Sequence, residues 1–407
     1  MLIINIKSLV GIHAPSQPLR GKDLDVLPSI ENAYLRVENG VITEFGEMAS
    51  LKSFEEKTID ATGQFVLPAW CDSHTHLVFA GSRETEFVDK IKGISYEGIA
   101  RKGGGILNSA QRLNETSEDE LYESALLRLK EMRAMGTGAL EIKSGYGLSV
   151  AGELKMLRVI KRLKKTQNIP IKATFLGAHA IPKEYKKNRE GYLQLIEDEM
   201  LPRIAAKELA DYIDVFCEKG FFDTTETKRI LEAGKRYGLR PKVHANQLKN
   251  SGGVQVGIAC GAISVDHLES IGDEEIEALA SSKTIATLLP SAAFFLRLPY
   301  PPARKLIESN AAIALATDYN PGSSPSGNMP LLIAMACIQM KLTPEEAINA
   351  ATINGAFAME VANEVGSITI GKKANLIFTK PIPSLAYLPY SFGENLIDNI
   401  MINGKFQ

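Results

Sequence analysis

Val66-Leu67-Pro68-Ala69-Trp70-Cys71-Asp72-Ser73-His74-Thr75-His76 is an apolar run that ends in two histidines one residue apart. Side chains alternate along a strand, so on a β-strand both imidazoles project to one side while Thr75 turns away. Seven further β-rich runs follow: Gly138 to Lys143, Lys172 to Ala178, Tyr212 to Cys217, Arg240 to Ala245, Ala262 to His267, Thr284 to Leu289 and Ala312 to Thr317. Amphipathic stretches rich in Glu, Lys, Leu and Ala separate them, for example Glu118 to Met135, Ala151 to Lys165 and Thr225 to Tyr237. Strands alternating with helices form parallel sheets, and eight such units spread over about 300 residues suit a closed (β/α)8 barrel.

Outside the barrel the rhythm changes. Residues 1–63 carry short alternating stretches, such as Ala33 to Val37 and Val41 to Phe45, divided by the turn signal Glu38-Asn39-Gly40. Beyond a last barrel helix near Thr343 to Ala358, Gly366-Ser367-Ile368 and Ala374-Asn375-Leu376-Ile377 return to strand-like patterns. The expected architecture is α/β: a (β/α)8 TIM-type barrel over residues 64–361, with a small β-sandwich domain built by residues 1–63 and 362–407 together.

Lys and Arg total 46 against 48 Asp and Glu, so no basic excess points to nucleic acid or an anionic membrane, and a small-molecule partner is expected. The four cysteines lie far apart in apolar surroundings with no CxxC pair, which fits reduced thiols and a cytoplasmic setting. Met1 to Val10 is short, carries Lys7 in its middle and reads as a first strand, and no run reaches the apolar length of a membrane span. Gly103-Gly104-Gly105 lacks the strand and helix context of a phosphate-binding loop and reads as a flexible loop at the barrel mouth.

Five of the six histidines fall at predicted strand ends: His74 and His76 on the first, then His179, His244 and His267 on three others; only His13 lies in the small domain. Asp318 follows the eighth strand in Ala314-Leu315-Ala316-Thr317-Asp318. Barrel active sites are built at the C-terminal ends of the strands, and scattered core histidines would not concentrate there. Neutral imidazoles with one carboxylate make a first shell for Zn²⁺ or iron that leaves a position for water. Such an ion lowers the pKa of its water toward neutrality, and Asp318 is placed to accept a proton and return it to a leaving nitrogen.

The strand-one pair, the strand-five and strand-six histidines and the strand-eight aspartate resemble the amidohydrolase superfamily along the whole chain. Within it, His74 to Glu84, Lys143 to Leu148, Phe175 to His179 and Ala316 to Ser323 resemble the imidazolonepropionase family. The resemblance implies that His74, His76, His244 and Asp318 hold one Zn²⁺ or iron ion, with His267 as base or carbonyl polariser. It implies that Arg83, Tyr96, Tyr146, His179, Gln247, Asn320, Gly322 and Ser323 contact the substrate, 4-imidazolone-5-propanoate. The implied reaction is attack of metal-bound hydroxide on the ring amide to give N-formimidoyl-L-glutamate in L-histidine degradation, with Asp318 and His267 assisting. A homodimer is the implied assembly. An Arg fork is the usual partner of a carboxylate, which suits Arg83 to the propionate, and Gln247 can hydrogen-bond but not serve as a base. The chain departs from the family pattern at Leu67-Pro68-Ala69-Trp70-Cys71, where a Pro-Gly turn and smaller residues are expected.

Two rival readings remain at this point. A ring deaminase or hydantoinase could use the same ligands, but two-metal members need a lysine on strand four, and Asp214-Val215-Phe216-Cys217-Glu218-Lys219 places Lys219 too far along, which favours one metal. A non-catalytic binding protein on a degenerate barrel would have lost ligands, and none is missing.

Overall fold

The computed structural model describes residues 1–52, 57–94 and 104–407. Eight parallel strands run Trp70–Thr75, Thr137–Lys143, Ile171–Ala178, Tyr212–Cys217, Arg240–Ala245, Ser264–His267, Ile285–Leu288 and Ile313–Leu315, each bonded to the next in sequence. We number these barrel strands one to eight. The first and last meet through a parallel bridge between Thr75 and Tyr319, with Asp318 N–H donating to His74 O at 2.9 Å and His76 N–H to Tyr319 O at 3.0 Å. The closure is therefore tightest at the C-terminal ends, where the histidines and Asp318 stand.

Local chemistry sets the helices between the strands. Ser117 caps Glu118–Ala134, and Glu120 reaches back to complete a capping box. Asp223 and Glu226 do the same for Thr224–Arg236, as do Thr343 and Glu346 for Pro344–Ala351. Each box satisfies N–H groups that a helix start otherwise leaves without partners. The single helix expected near Thr343 to Ala358 is two, Pro344–Ala351 and Ile353–Ala358, because Thr352 leaves helical geometry at φ −116°, ψ −91°.

The run Val66 to His76 is also two strands, not one. Phe65–Pro68 pairs antiparallel with Leu376–Thr379 and parallel with Leu2–Val10, whereas Trp70–Thr75 opens the barrel. Pro68 has no N–H to extend a ladder, and Ala69 N–H instead donates to Asn375 O at 2.9 Å while Trp70 N–H turns to Gly136 O. The unusual Trp70 is accommodated: it is buried, and its Nε1–H donates to Met135 O at 3.0 Å.

Both chain ends share a second sheet of eight strands, around a core that includes Ile3, Ile6, Leu35, Ile42, Leu376 and Phe378. The small β-domain expected from the two chain ends is present, and its eight strands join one hydrogen-bonded sheet. Its Ser29–Glu38 and Val41–Glu47 hairpin turns on Asn39 and Gly40, with φ of +51° and +83°, the primed turn that an Asn-Gly pair favours. Gly366-Ser367-Ile368 forms no strand; Ile368 N–H simply ties this loop to Gly11 O at 2.8 Å.

Burial in this region, with Lys372 adding to it, pushes the His13 imidazole from its ordinary 6.5 down to about 4. The unfolded chain takes up this proton near 6.5 and the folded chain only near 4, so stability falls as pH drops through that window. Thermal melts should therefore lose midpoint temperature less steeply on acidification in His13→Gln than in wild type. Parallel curves for the two would remove His13 as a source of acid sensitivity.

Candidate metal centre and active site

Five ligand-type side chains converge at the C-terminal mouth of the barrel. His74 Nε2 and His76 Nε2 lie 3.3 Å apart, His76 Nε2 and His244 Nε2 also 3.3 Å, and Asp318 Oδ1 is 3.4 Å from both His74 Nε2 and His76 Nε2. His267 joins His74 and Asp318 in a second group of converging donor atoms. All five residues are buried.

Proton counting tests whether this cluster suits a cation. His74 Nδ1 is 2.6 Å from Asp266 Oδ2, so the ring proton sits there and Nε2 carries a lone pair. His244 Nδ1 lies 3.0 Å from Asp214 Oδ2, out of line for a hydrogen bond but close enough for the carboxylate to favour a proton on that side. His76 Nε2 could donate its one proton to a single neighbour, which leaves the other close contacts as lone pair against lone pair. Two donors held about 2.0–2.1 Å from one ion at the tetrahedral angle stand about 3.3–3.4 Å apart. The spacing and the chemistry of the donor set thus fit a divalent metal.

The electrostatics agree in direction at Asp318, His244 and His179, whereas at His74 burial is outweighed by the Asp266 and Asp318 carboxylates, which raise it. Burial acts to raise the Asp318 carboxyl, but its contacts with His74 and His76 outweigh this and hold it well below the ordinary carboxylate range. Burial pushes His244 down to about 3, and it pushes His179 well below the ordinary imidazole value, with His76 and His244 adding to the effect. Both rings are neutral, the form a metal ligand or a hydrogen-bond acceptor requires.

Backbone geometry aims two of these side chains. Asp318 has φ +53°, and His267 and Leu268 have φ +89° and +72° in succession. Left-handed non-glycine residues cost on the order of 1–3 kcal/mol each and persist only where neighbours enforce them. Here Leu268 N–H donates to Ala245 O at 3.1 Å and Ser270 N–H to Asn246 O at 2.8 Å. His267 Nδ1 lies 3.3 Å from Glu269 Oε1, a buried carboxylate that turns the opposite nitrogen toward the cluster.

Above the cluster opens a cavity of about 420 Å³. Its wall includes His76, Arg83, Tyr146, His179, His244, Gln247, His267, Asp318, Asn320, Gly322 and Ser323, and His74 lies beneath its floor. Tyr96 and Gly103 lie outside the described residues; of the glycine loop expected at the mouth, Gly105 leads into the helix Ile106–Glu115 and its N–H donates to Glu86 Oε1 at 2.9 Å. Arg83 Nε donates to Ser109 Oγ at 2.9 Å, and its guanidinium sits 5.9 Å from the Tyr146 ring centre. A Cβ at Gly322 would come within 2.5 Å of an Arg83 nitrogen, so only glycine lets the guanidinium lie there. Asn320 spends its amide on its own loop: Oδ1 accepts from Gly322 and Ser323 N–H, and Nδ2 donates to Asp318 O and Ser323 Oγ. Ser323 Oγ in turn donates to Asp318 Oδ2 at 3.1 Å.

The sequence model of the Amidohydrolase family matches residues 65–406. The chain belongs to the amidohydrolase family. This amidohydrolase is 55% identical over 407 residues to the imidazolonepropionase of Christiangramia forsetii, covering 100% of this chain and 99% of that one. It is 56% identical to the imidazolonepropionase of Flavobacterium johnsoniae, with 99% of each covered, and 42% identical to that of Thermoanaerobacter pseudethanolicus, with 98% and 96% covered. Among solved structures it superposes on E. coli guanine deaminase with a TM-score of 0.74 at 13% identity, covering 100% and 98%. Zinc-bound adenosine deaminase from Xanthomonas campestris gives 0.68 at 17%, covering 100% and 92%. At such identities these structures share the fold alone.

Several residues around the amidohydrolase site escaped the sequence reading. Asp214 and Asp266 face ligand imidazoles, Glu269 faces His267, and Asp72 accepts from Thr317 N–H at 3.0 Å and Thr317 Oγ–H at 2.6 Å, locking strand eight to strand one. The available signal was charge inside otherwise apolar strands, as in Ser264-Val265-Asp266-His267. Lys219 stands apart from this cavity, on the rim of a neighbouring surface pocket.

Proposed function

We propose that this chain hydrolyses the ring amide of 4-imidazolone-5-propanoate to N-formimidoyl-L-glutamate, the ring-opening step of L-histidine degradation. The observation that carries this reading is one cavity with an imidazole and carboxylate cluster at its floor and the Arg83 guanidinium on its wall, in a chain whose full-length relatives are imidazolonepropionases. A flat ring bearing a carboxylate arm is the shape and charge this space accepts.

His74, His76, His244 and Asp318 would hold one Zn²⁺ or iron ion. When bound, the ion supplies Lewis acidity and makes a neighbouring water more acidic. Water adds to the ring carbonyl and loses a proton to Asp318, which Ser323 steadies through Oδ2. Glu269 holds the Nδ1 side of His267, so its Nε2 donates to the developing oxyanion in the doubly protonated form of the ring. The carbon–nitrogen bond breaks, and Asp318 hands the proton to the departing nitrogen. Tyr146, whose hydroxyl burial keeps protonated, donates to the ring or its arm, and neutral His179, with Nδ1 3.0 Å from Gly145 O, presents Nε2 as an acceptor. Gln247 contributes its amide, and Arg83 with Tyr96 pairs the propionate.

The proposal takes residues 64–361 as the catalytic barrel and 1–63 with 362–407 as one supporting β-unit, in a cytoplasmic homodimer. All four cysteines are free, which suits a reducing compartment, and among the described residues no helix is long and apolar enough to cross a membrane.

Arg83→Met should raise KM about tenfold to a hundredfold, the loss of one charge-assisted carboxylate contact, while kcat changes far less. An unchanged KM would place the propionate elsewhere. The reading as a whole is tested by incubating metal-loaded protein with 4-imidazolone-5-propanoate and identifying the product by mass. N-formimidoyl-L-glutamate is expected; no turnover, with release of ammonia from cytosine or guanine instead, would replace the substrate.

A further inference from the structure

Beneath the imidazole cluster the barrel interior is charged. Glu141 and Lys143 of strand two, Asp214 of strand four, Lys242 of strand five and Asp266 of strand six meet there, all with no exposed surface. Lys143 Nζ donates to Glu141 Oε1 at 2.6 Å and to Asp214 Oδ2 at 2.8 Å, and lies 3.4 Å from Asp266 Oδ2. Lys242 donates to the other Glu141 oxygen and to Ser73 O at 3.3 Å, and Thr174 Oγ–H donates to Glu141 Oε1 at 2.6 Å.

The two aspartates on Lys143 are the two that face ligand imidazoles. Asp266 Oδ2 accepts from His74 Nδ1 at 2.6 Å, and Asp214 Oδ2 lies 3.0 Å from His244 Nδ1 while its Oδ1 accepts the His244 backbone N–H at 3.1 Å. Each of these Oδ2 atoms is thus shared between one ammonium and one imidazole. His74 and His244 stand on different strands, and Lys143 is the group that touches both of their carboxylates.

Stability alone does not account for the arrangement. Buried ion clusters are often replaced by well-packed apolar residues at no loss, so their retention calls for another reason. Three carboxylates against two ammonium groups also leave one negative charge uncompensated, which favours a cation on the far side of the imidazoles.

We infer that Lys143 is a positioning residue of the metal centre: by clamping Asp214 and Asp266 together it fixes the tautomer and ring angle of His244 and His74, so both aim Nε2 at one point. This rests on the reading of His74, His76, His244 and Asp318 as ligands. Losing a partner that orients a metal-bound histidine generally weakens metal binding about tenfold to a hundredfold.

Cobalt(II) tests it, because its visible absorption reports coordination geometry and its affinity is measured by competition with a chelator, both without turnover. Lys143→Met should bind cobalt about tenfold to a hundredfold more weakly than wild type, with altered visible bands. Lys242→Met removes a buried lysine from the same Glu141 but touches neither aspartate, and it should keep the wild-type bands and affinity. If Lys143→Met does not fold, Lys143→Gln, which retains a donor, carries the same expectations. Equal weakening by the Lys143 and Lys242 variants, or unaltered cobalt binding in the Lys143 variant, would overturn the inference. A folded wild type that takes up no cobalt would reject the four-ligand reading and the positioning role with it.

Discussion

Asp318→Asn should lower kcat by at least about a thousandfold while leaving the barrel folded. The substitution keeps the shape and one acceptor oxygen, so the 3.1 Å contact from Ser323 and the backbone bond to His74 O can persist. What it removes is the negative charge that faces His74 and His76 and, among the described residues, the one carboxylate of the converging donors that can take a proton and return it. Metal content, measured by mass spectrometry on the purified protein, should fall along with kcat, because a neutral amide is a poorer ligand than a carboxylate. A variant within about tenfold of wild-type kcat would remove Asp318 from the proton path, since a general acid or base contributes about a hundredfold to ten-thousandfold.

His267→Asn should lower kcat about a hundredfold to a thousandfold with metal content unchanged. Asparagine suits this position because it tolerates the left-handed backbone better than most residues, so the φ of +89° is not itself disturbed. The variant therefore isolates the imidazole. Its loss deprives the developing oxyanion of a donor held by Glu269, an effect confined to the transition state, and KM should move only a few-fold. Loss of metal together with activity would make His267 a ligand, and an unaltered kcat would make Glu269 and the strained backbone around it structural features only.

Much of the barrel was legible because its strands are buried on both faces and so read as apolar runs whose ends carry the polar groups. Strand-two, strand-four and strand-five segments appear within a residue of where the pattern puts them. The alternation of His74 and His76 likewise needed no tertiary information. The handover at Ala69 was not legible, because Phe65–Pro68 finds its partner in Leu376–Thr379, some three hundred residues along the chain, and nothing local separates it from Trp70–Thr75. The charges under the site were hidden for a similar reason. Glu141 and Lys143 alternate in strand two as they would on a solvent face, and only the register of strands two, four and six brings Lys143 to Asp214 and Asp266. Asn320, expected to touch substrate, lies on the cavity wall, and the sequence did not show that its side chain also shapes the loop that presents Ser323 to Asp318.

The most direct test of the metal-dependent ring opening is a titration: strip the protein with a chelator, add Zn²⁺ or Fe²⁺ in steps, and follow loss of 4-imidazolone-5-propanoate. The ligand set His74, His76, His244 and Asp318 predicts no turnover without metal and a linear rise that stops at one ion per chain. Full activity in the stripped protein, or a rise that continues to two ions, would contradict it.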